Sequence, residues 1–368
     1  MTFIGINKKE IQSGLKKSKK DPLELDHKYY GFTDADLNRE FYLNPEIFSG
    51  IIKNKHTWKL GELIETLKKI YCGKAGFEYL HITDIDERNW LRDQIENLPW
   101  QTIENEKKLK IFSRLCKNEC FTNFLKNKFS TSKRFGVEGL DSMISGLRAL
   151  LDKATQQGVK RVVFGMAHRG RLNTLSEVIG KTYEEILCEF QESKPTEQGG
   201  WGNSGDVKYH LGTTTDMKLS SGRSIRLAML PNPSHLEAVN PLVQGKVRAT
   251  QDYYQETERN ETIAVTIHGD AAFAGQGVVY ETIQMYDLED YKVGGTIHII
   301  SNNQIGFTTT QRDARSGLYC TDIGKAAEAP IFHVNADEPE LVDQVLELAL
   351  AYRLKFKKDV VVDIVGYR

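Results

Sequence analysis

From about residue 135 onward the chain carries short runs of aliphatic and β-branched residues, separated by stretches with helical periodicity. The runs fall at 161–166, 225–230, 262–268, 296–301 and 360–365. Their near-continuous apolar character marks strands buried on both faces. Strands that alternate with helices fold as a mostly parallel sheet covered on both sides, so the expected class is α/β and doubly wound. Before the last run, Pro339 sits in the first turn of a helix that Asp337 can cap. Val342, Val345, Leu346, Ala349 and Leu350 share one face of that helix. Sheets of this kind bind ligands beyond the carboxyl ends of their strands. Function is therefore sought in the residues that directly follow each run.

Residues 27–130 have a different texture, with few glycines and apolar positions at helical spacing. Leu60, Leu63, Ile64, Leu67 and Ile70 form one stripe; Ile111, Leu115, Phe121, Phe124 and Leu125 contribute to another. These are core positions of a smaller helical domain. Residues 1–26 carry Lys8, Lys9, Lys16, Lys17, Lys19 and Lys20 without the apolar stretch of a secretory signal, and read as a disordered basic leader. Residues 131–368 form the sheet domain, interrupted by a glycine-rich loop at 193–206. The sequence stops at Arg368, directly after a strand, which leads to the expectation that the natural protein continues.

Charge excludes several functions. Forty-nine Lys and Arg face fifty Asp and Glu, a formal net charge of -1, which lacks the basic excess of a nucleic-acid binder. No stretch approaches the roughly 20 apolar residues of a membrane span. The five cysteines, Cys72, Cys116, Cys120, Cys188 and Cys320, are odd in number and scattered; they suit a reducing compartment and form no zinc-ligand pattern.

Two strand ends carry the informative residues. His268-Gly269-Asp270-Ala271-Ala272-Phe273-Ala274-Gly275-Gln276-Gly277 follows one strand, and Ser301-Asn302-Asn303-Gln304-Ile305-Gly306 ends another. The interval between Asp270 and Asn303 accommodates a helix and a returning strand, so their side-chain oxygens can converge at adjacent strand ends. Hard oxygen ligands suit Mg²⁺ completed by phosphate oxygens and water. Small residues after Asp270 allow backbone N–H groups to approach a diphosphate, with a helix expected to begin near Gly275. Gly275-Gln276-Gly277 also opens like a Rossmann fingerprint, but Tyr280 stands at its third glycine position. Taken singly, Gly-Asp and Asn-Asn are ordinary turn residues.

Gly269-Asp270 followed by Asn302-Asn303 resembles the thiamine-diphosphate signature. Ala271 replaces a glycine of that signature, as is usual in the first, decarboxylating component of 2-oxoglutarate dehydrogenase. The resemblance extends in order and spacing through Lys133-Arg134-Phe135-Gly136-Val137-Glu138-Gly139 and Gly165-Met166-Ala167-His168-Arg169-Gly170-Arg171-Leu172-Asn173. It continues through Gly205-Asp206-Val207-Lys208-Tyr209-His210, Asn232-Pro233-Ser234-His235-Leu236-Glu237 and Ala329-Pro330-Ile331-Phe332-His333-Val334-Asn335, covering about 27–368.

The resemblance implies that 131–368 is a diphosphate-binding module with thiamine diphosphate and Mg²⁺ as cofactors. Asp270, Asn303 and the backbone carbonyl of Ile305 would hold the metal, and Arg169 the diphosphate. His168 and His210 would be catalytic and, with Phe135, would line the site for the 2-oxo acid. The implied reaction is oxidative decarboxylation of 2-oxoglutarate in the tricarboxylic acid cycle. The implied partners are a lipoyl-bearing succinyltransferase component and a dihydrolipoyl dehydrogenase component, with a homodimer when complete and neither nucleic acid nor membrane. The location would be cytoplasmic in a bacterium and the mitochondrial matrix in a eukaryote. Pyrimidine-binding and C-terminal domains are expected beyond Arg368, so the 368-residue chain is expected to bind cofactor weakly and to be inactive alone. Three alternatives remain: a 2-oxoadipate enzyme, distinguished at Phe135 and Tyr209; a non-catalytic assembly partner; and a Rossmann oxidoreductase.

Overall fold

The computed structural model describes residues 22–98, 103–190, 210–220 and 222–367. The leader through residue 21, the 193–206 loop and Tyr209 lie outside the described residues. The chain divides into two compact units, Met1–Trp100 and Gln101–Arg368.

The first unit pairs β1 (Glu40–Tyr42) antiparallel with β2 (Thr57–Lys59), setting Phe41 opposite Trp58. Then follow α1 (Leu60–Tyr71), β3 (Ala75–Glu78) and α2 (Ile85–Asn97). The Asp84 carboxylate caps α2 by accepting from the backbone N–H groups of Asp86 and Glu87, which satisfies two of the helix's orphan donors. Trp58, Phe77, Ile82, Leu91 and Ile95 are buried, whereas the apolar stripe of α1 is half-buried.

The second unit begins with α3 (Asn105–Lys128). Its periodicity suggested a helical domain reaching to 130, but the boundary between compact units falls at Trp100 and Gln101. The reason is packing. Ile111, Phe121 and Leu125 are buried, Arg114 donates to Asp152 at 2.8 Å, and Asn118 donates to Asp141 at 2.6 Å. Those acceptors lie on or beside α4 (Ser142–Gln156).

The remaining elements follow in chain order. They are β4 (Arg161–Met166), the short α5 (Arg171–Asn173), α6 (Tyr183–Phe190), β5 (Thr213–Lys218), β6 (Ser224–Met229) and α7 (Val239–Tyr253). Next come β7 (Thr262–Gly269), α8 (Asp270–Gly275), α9 (Gly277–Gln284) and β8 (Thr296–Asn302). A two-residue hairpin of β9 (Ile305–Gly306) and β10 (Thr309–Thr310) leads through α10 (Gln311–Ala314) to β11 (Ile331–Asn335), α11 (Pro339–Phe356) and β12 (Val360–Val365).

Within this unit the strand order is β11-β12-β8-β7-β4-β6-β5. Every neighbouring pair is parallel except β5 with β6. The mixed α/β class with a mostly parallel sheet is thus as the sequence predicts. The five expected strands match β4, β6, β7, β8 and β12 to within about a residue. β5 and β11 were not among the expected strands: β5 is a polar edge strand with alternating exposure, and polar His333 and Asn335 interrupt the short buried run of β11. The helix predicted near Gly275 begins earlier, with Asp270 as its first residue, and a second one starts at Gly277. Pro339 takes the first helical position of α11 with Glu338, not Asp337, at the cap.

Both faces of the sheet are covered, since successive residues of β12 point to opposite sides and all are buried. Val239, Val243 and Val247 of α7 pack on Val163 and Ala264, while α9 residues Val279 and Ile283 pack with Ile300 and Val361. Gly165 permits this approach: a Cβ there would meet Val243 Cγ2 at 2.5 Å. From β4 the chain moves to β6 on one side and then to β7 on the other. A crevice therefore opens between the carboxyl ends of β4 and β7.

Arg353 of α11 is fully buried and ties three carbonyls together: Gly295 through Nε at 3.0 Å, Arg259 through Nη1 at 2.7 Å and Val293 through Nη2 at 2.9 Å. Its replacement leaves those acceptors dry. Arg353→Met is expected to cost about 3–5 kcal/mol in urea unfolding; a loss below about 1 kcal/mol would show that water replaces the guanidinium.

Candidate functional site

At the β4 and β7 strand ends lies a cavity of about 1090 Å³. Phe135, His168, Arg169, Asp270, Asn303 and Ile305 all line it. His210 does not. Its ring stacks behind that of His168, with centroids 5.0 Å apart, while Phe135 packs against His168 at 5.3 Å. The structure thus joins the histidines and Phe135 into one wall, with His168 as the imidazole that faces the cavity.

That wall is held by backbone geometry. Phe135 adopts φ +44°, and its carbonyl accepts from Gly170 N at 2.7 Å. Arg169 donates to the Gly136 carbonyl at 3.2 Å. Beneath them, fully buried Arg171 donates to the carbonyls of Met166 at 2.9 Å, Leu211 at 2.9 Å and Leu230 at 2.6 Å. This clamp is not legible from spacing, because an arginine after a strand reads as a ligand or a surface residue. Burial, then the neighbouring His210 ring and the Arg171 charge, push the His168 imidazole below its ordinary value, against the Pro233 backbone, which raises it. His168 is accordingly neutral at pH 7 and able to donate or accept a single proton.

The opposite wall is built where β7 and β8 run parallel, with Gly269 beside Ser301. One atom of the Asn303 amide faces both Asp270 Oδ1 at 3.3 Å and the Ile305 carbonyl oxygen at 3.2 Å. When nitrogen occupies that position it donates to both acceptors. That is the orientation that satisfies its neighbours without an ion; with oxygen there, three acceptors would face one another and a cation would be needed to reconcile them. Cis ligands of an octahedral Mg²⁺ ion at about 2.1 Å stand about 3.0 Å apart, close to the spacing observed. The donor set fits Mg²⁺: one carboxylate, one carboxamide and one carbonyl, all hard oxygens. Among the described residues no group of three His, Cys, Asp or Glu side chains forms a metal site.

Asp270 is 2% exposed. Burial, together with the Asp363 charge, raises its carboxyl to about 6, against the opposing pull of Arg315 and of the backbone N–H groups of Asp270 and Ala271. Arg315 Nη1 lies 3.9 Å from Asp270 Oδ2, a counter-ion that the sequence did not signal. The Rossmann alternative fails on geometry, because Gly275 and Gly277 straddle the junction of two short helices rather than one strand-to-helix turn.

A second buried network lies below the cavity. His268 Nδ1 contacts Glu237 Oε2 at 2.6 Å and its Nε2 contacts His298 Nδ1 at 3.1 Å, while His298 Nε2 reaches Asp359 Oδ2 at 3.2 Å. His268 therefore belongs to the sheet interior, and His235 is exposed.

Comparison with known proteins identifies the chain's relatives. The profile of the family described as Dehydrogenase E1 component matches residues 116–368. A Dictyostelium discoideum protein named 2-oxoglutarate dehydrogenase, mitochondrial, is 46% identical over 351 residues, covering 95% of this chain and 35% of that protein. The Schizosaccharomyces pombe protein of the same name is 46% identical, covering 94% and 34%. That of Saccharomyces cerevisiae is 44% identical, covering 97% and 35%. The chain thus spans about a third of the length of the curated relatives it matches.

The raised Asp270 carboxyl has a consequence for the metal-free fold. The folded state holds a proton more tightly than the unfolded chain, so ionisation of Asp270 erodes stability as pH rises from about 4 through about 6. Asp270→Asn removes that penalty. In chelator, the variant is expected to be more stable by on the order of 2–3 kcal/mol above pH 6, the gain shrinking as pH falls toward 4. Urea midpoints across pH 5–8 check this, and a pH-independent difference would refute it.

Proposed function

The chain belongs to the Dehydrogenase E1 component family, and on that footing we propose that its cavity is the diphosphate and metal side of a thiamine-diphosphate-dependent 2-oxoglutarate decarboxylation site. The observation that carries this reading is the meeting of Asp270, Asn303 and the Ile305 carbonyl at one end of the cavity. Thiamine diphosphate, when bound, supplies the electron sink that decarboxylation of a 2-oxo acid requires. Everything else is the work of the protein. Asp270, Asn303 and the Ile305 carbonyl would hold Mg²⁺, whose charge would offset that of a diphosphate. The guanidinium of Arg169 adds a charge of fixed shape to the same end of the cavity.

His168 presents a neutral ring to the carboxylate or keto oxygen of the substrate, backed by His210 and flanked by Phe135. Lys133 and Arg134 also line the cavity and favour a dicarboxylate over a monocarboxylate. The four-carbon fragment left after decarboxylation would pass to the oxidised lipoyl group of a succinyltransferase component, whose disulfide accepts the electron pair. Only after the succinyl group has left for an acceptor thiol could dihydrolipoyl dehydrogenase reoxidise the dithiol. The relatives' names support a mitochondrial matrix setting, and among the described residues no helix is long and apolar enough to cross a membrane. Because the relatives are about three times as long, we infer that turnover by this chain requires further protein, as a homodimer of complete subunits.

The test is binding. Tryptophan fluorescence of the wild-type chain is expected to report saturable thiamine diphosphate binding only with Mg²⁺ present. Asp270→Asn and Asn303→Ala are each expected to weaken it by at least about tenfold, the effect of losing one charge-assisted ligand. Magnesium-independent binding, or unchanged affinity in both variants, would refute the assignment. Comparing 2-oxoglutarate with 2-oxoadipate in the reconstituted enzyme decides the substrate.

A further inference from the structure

The turn that carries two of the three metal-facing oxygens is anchored by residues outside the cavity. Asn302, 3% exposed, accepts on Oδ1 from the backbone N–H of Gln304 at 3.0 Å and from Gln311 Nε2 at 3.3 Å. The first bond closes an Asx-type turn over Asn303, and Gln304 within it holds φ +63°. A non-glycine residue rarely rests in that left-handed region unless its surroundings fix it. Asn302 Nδ2 in turn donates to Asp363 Oδ1 at 3.0 Å, and Asp363 Oδ2 engages His333 Nδ1 at 2.8 Å. The strand register sets this line of contacts: Asp363 of β12 pairs with His333 of β11 on one side and with Ile300 of β8 on the other. Gln304 Nε2 also reaches the Gly366 carbonyl at 2.6 Å, and Gly366 N donates to the Asn302 carbonyl at 2.8 Å.

Asp363 and His333 are almost wholly buried in strands that are otherwise apolar. A carboxylate in such a place is costly unless its oxygens are used. Here one oxygen fixes the Asn302 amide and the other meets an imidazole, so Asn302 cannot turn over without losing a bond at each end. Its Oδ1 is therefore held toward Gln304 N.

We propose that His333, Asp363 and Asn302 form a relay of positioning residues that holds the 302–306 turn so that Asn303 and the Ile305 carbonyl present their oxygens beside Asp270. This inference rests on the reading of Asp270, Asn303 and Ile305 as the metal site, and extends it to a layer of side chains that never touches the ion. Outer partners of this kind orient ligands and tune metal affinity.

The experiment measures Mn²⁺ affinity of the 368-residue chain by electron paramagnetic resonance of free Mn²⁺, with thiamine diphosphate present. Asp363→Leu, similar in size but without an acceptor, is expected to weaken Mn²⁺ by about 10–100-fold. Asp363→Asn is expected to stay within about threefold. Its amide oxygen still accepts from Asn302, and its nitrogen can face His333 Nδ1 once the imidazole proton moves to Nε2. Val362→Ala, a truncation of a buried neighbour on the same strand, controls for lost stability and should leave Mn²⁺ affinity unchanged. If Asp363→Leu does not fold, Asn302→Ser carries the same expectation, because serine is too short to span Asp363 and Gln304 N together. Mn²⁺ affinity that is unchanged, or reduced only as in Val362→Ala, would overturn the relay alone. No Mn²⁺ binding by the wild-type chain would overturn the metal reading and the relay with it.

Discussion

The cavity's polar wall depends on one contact: a single atom of the Asn303 amide set between two oxygen acceptors, Asp270 Oδ1 and the Ile305 carbonyl. Asp270 Oδ1, the Ile305 carbonyl and the Asn303 amide meet because β7 and β8 are parallel neighbours whose carboxyl ends lie side by side. Parallel pairing with a covered sheet is what makes this possible. Antiparallel neighbours would send the two strand ends to opposite edges. The branched apolar runs that drive the sheet together thus also fix where the polar chemistry must sit.

That corner works against the fold's own stability. Burial and the nearby Asp363 charge make ionised Asp270 unfavourable, and the guanidinium of Arg315 at 3.9 Å offsets only part of it. A divalent ion bound there, as proposed, would supply the missing positive charge, and ligand binding and folding would then share one source of free energy. Elsewhere the structure treats buried charge differently. Arg171 and Arg353 are each held by three backbone carbonyls, which makes them fixed struts of the fold.

Much of the α/β domain was legible in the sequence because its strands are doubly buried and therefore read as unbroken apolar runs. The same rule explains the failures. β5 lies at the sheet edge and alternates, so its polar residues concealed it. The amphipathic stripe of α3 announced a helix but not its allegiance, which depends on Arg114, Asn118 and the residues they meet far along the chain. Among the site residues, Asp270 and Asn303 could be paired because each ends a recognisable strand. His210 was expected to line the cavity and instead supports His168 from behind, a distinction set by side-chain depth rather than by spacing. Asp363 and His333 are single polar letters within apolar strands. Only the register between β11 and β12 shows that they face each other.

Gly139 and Gly366 run backbone against backbone: a Cβ on either would collide with the main chain of the other segment. The rim segment beginning at Lys133 is thus laced to the very end of β12, to which Gln304 and Asn302 are also tied. During synthesis the residues that surround the cavity emerge well before the strand that secures them. Until residues 363–366 have joined the sheet, the turn bearing Asn303 has only its local bonds and lacks the outer anchors at Asp363 and Gly366.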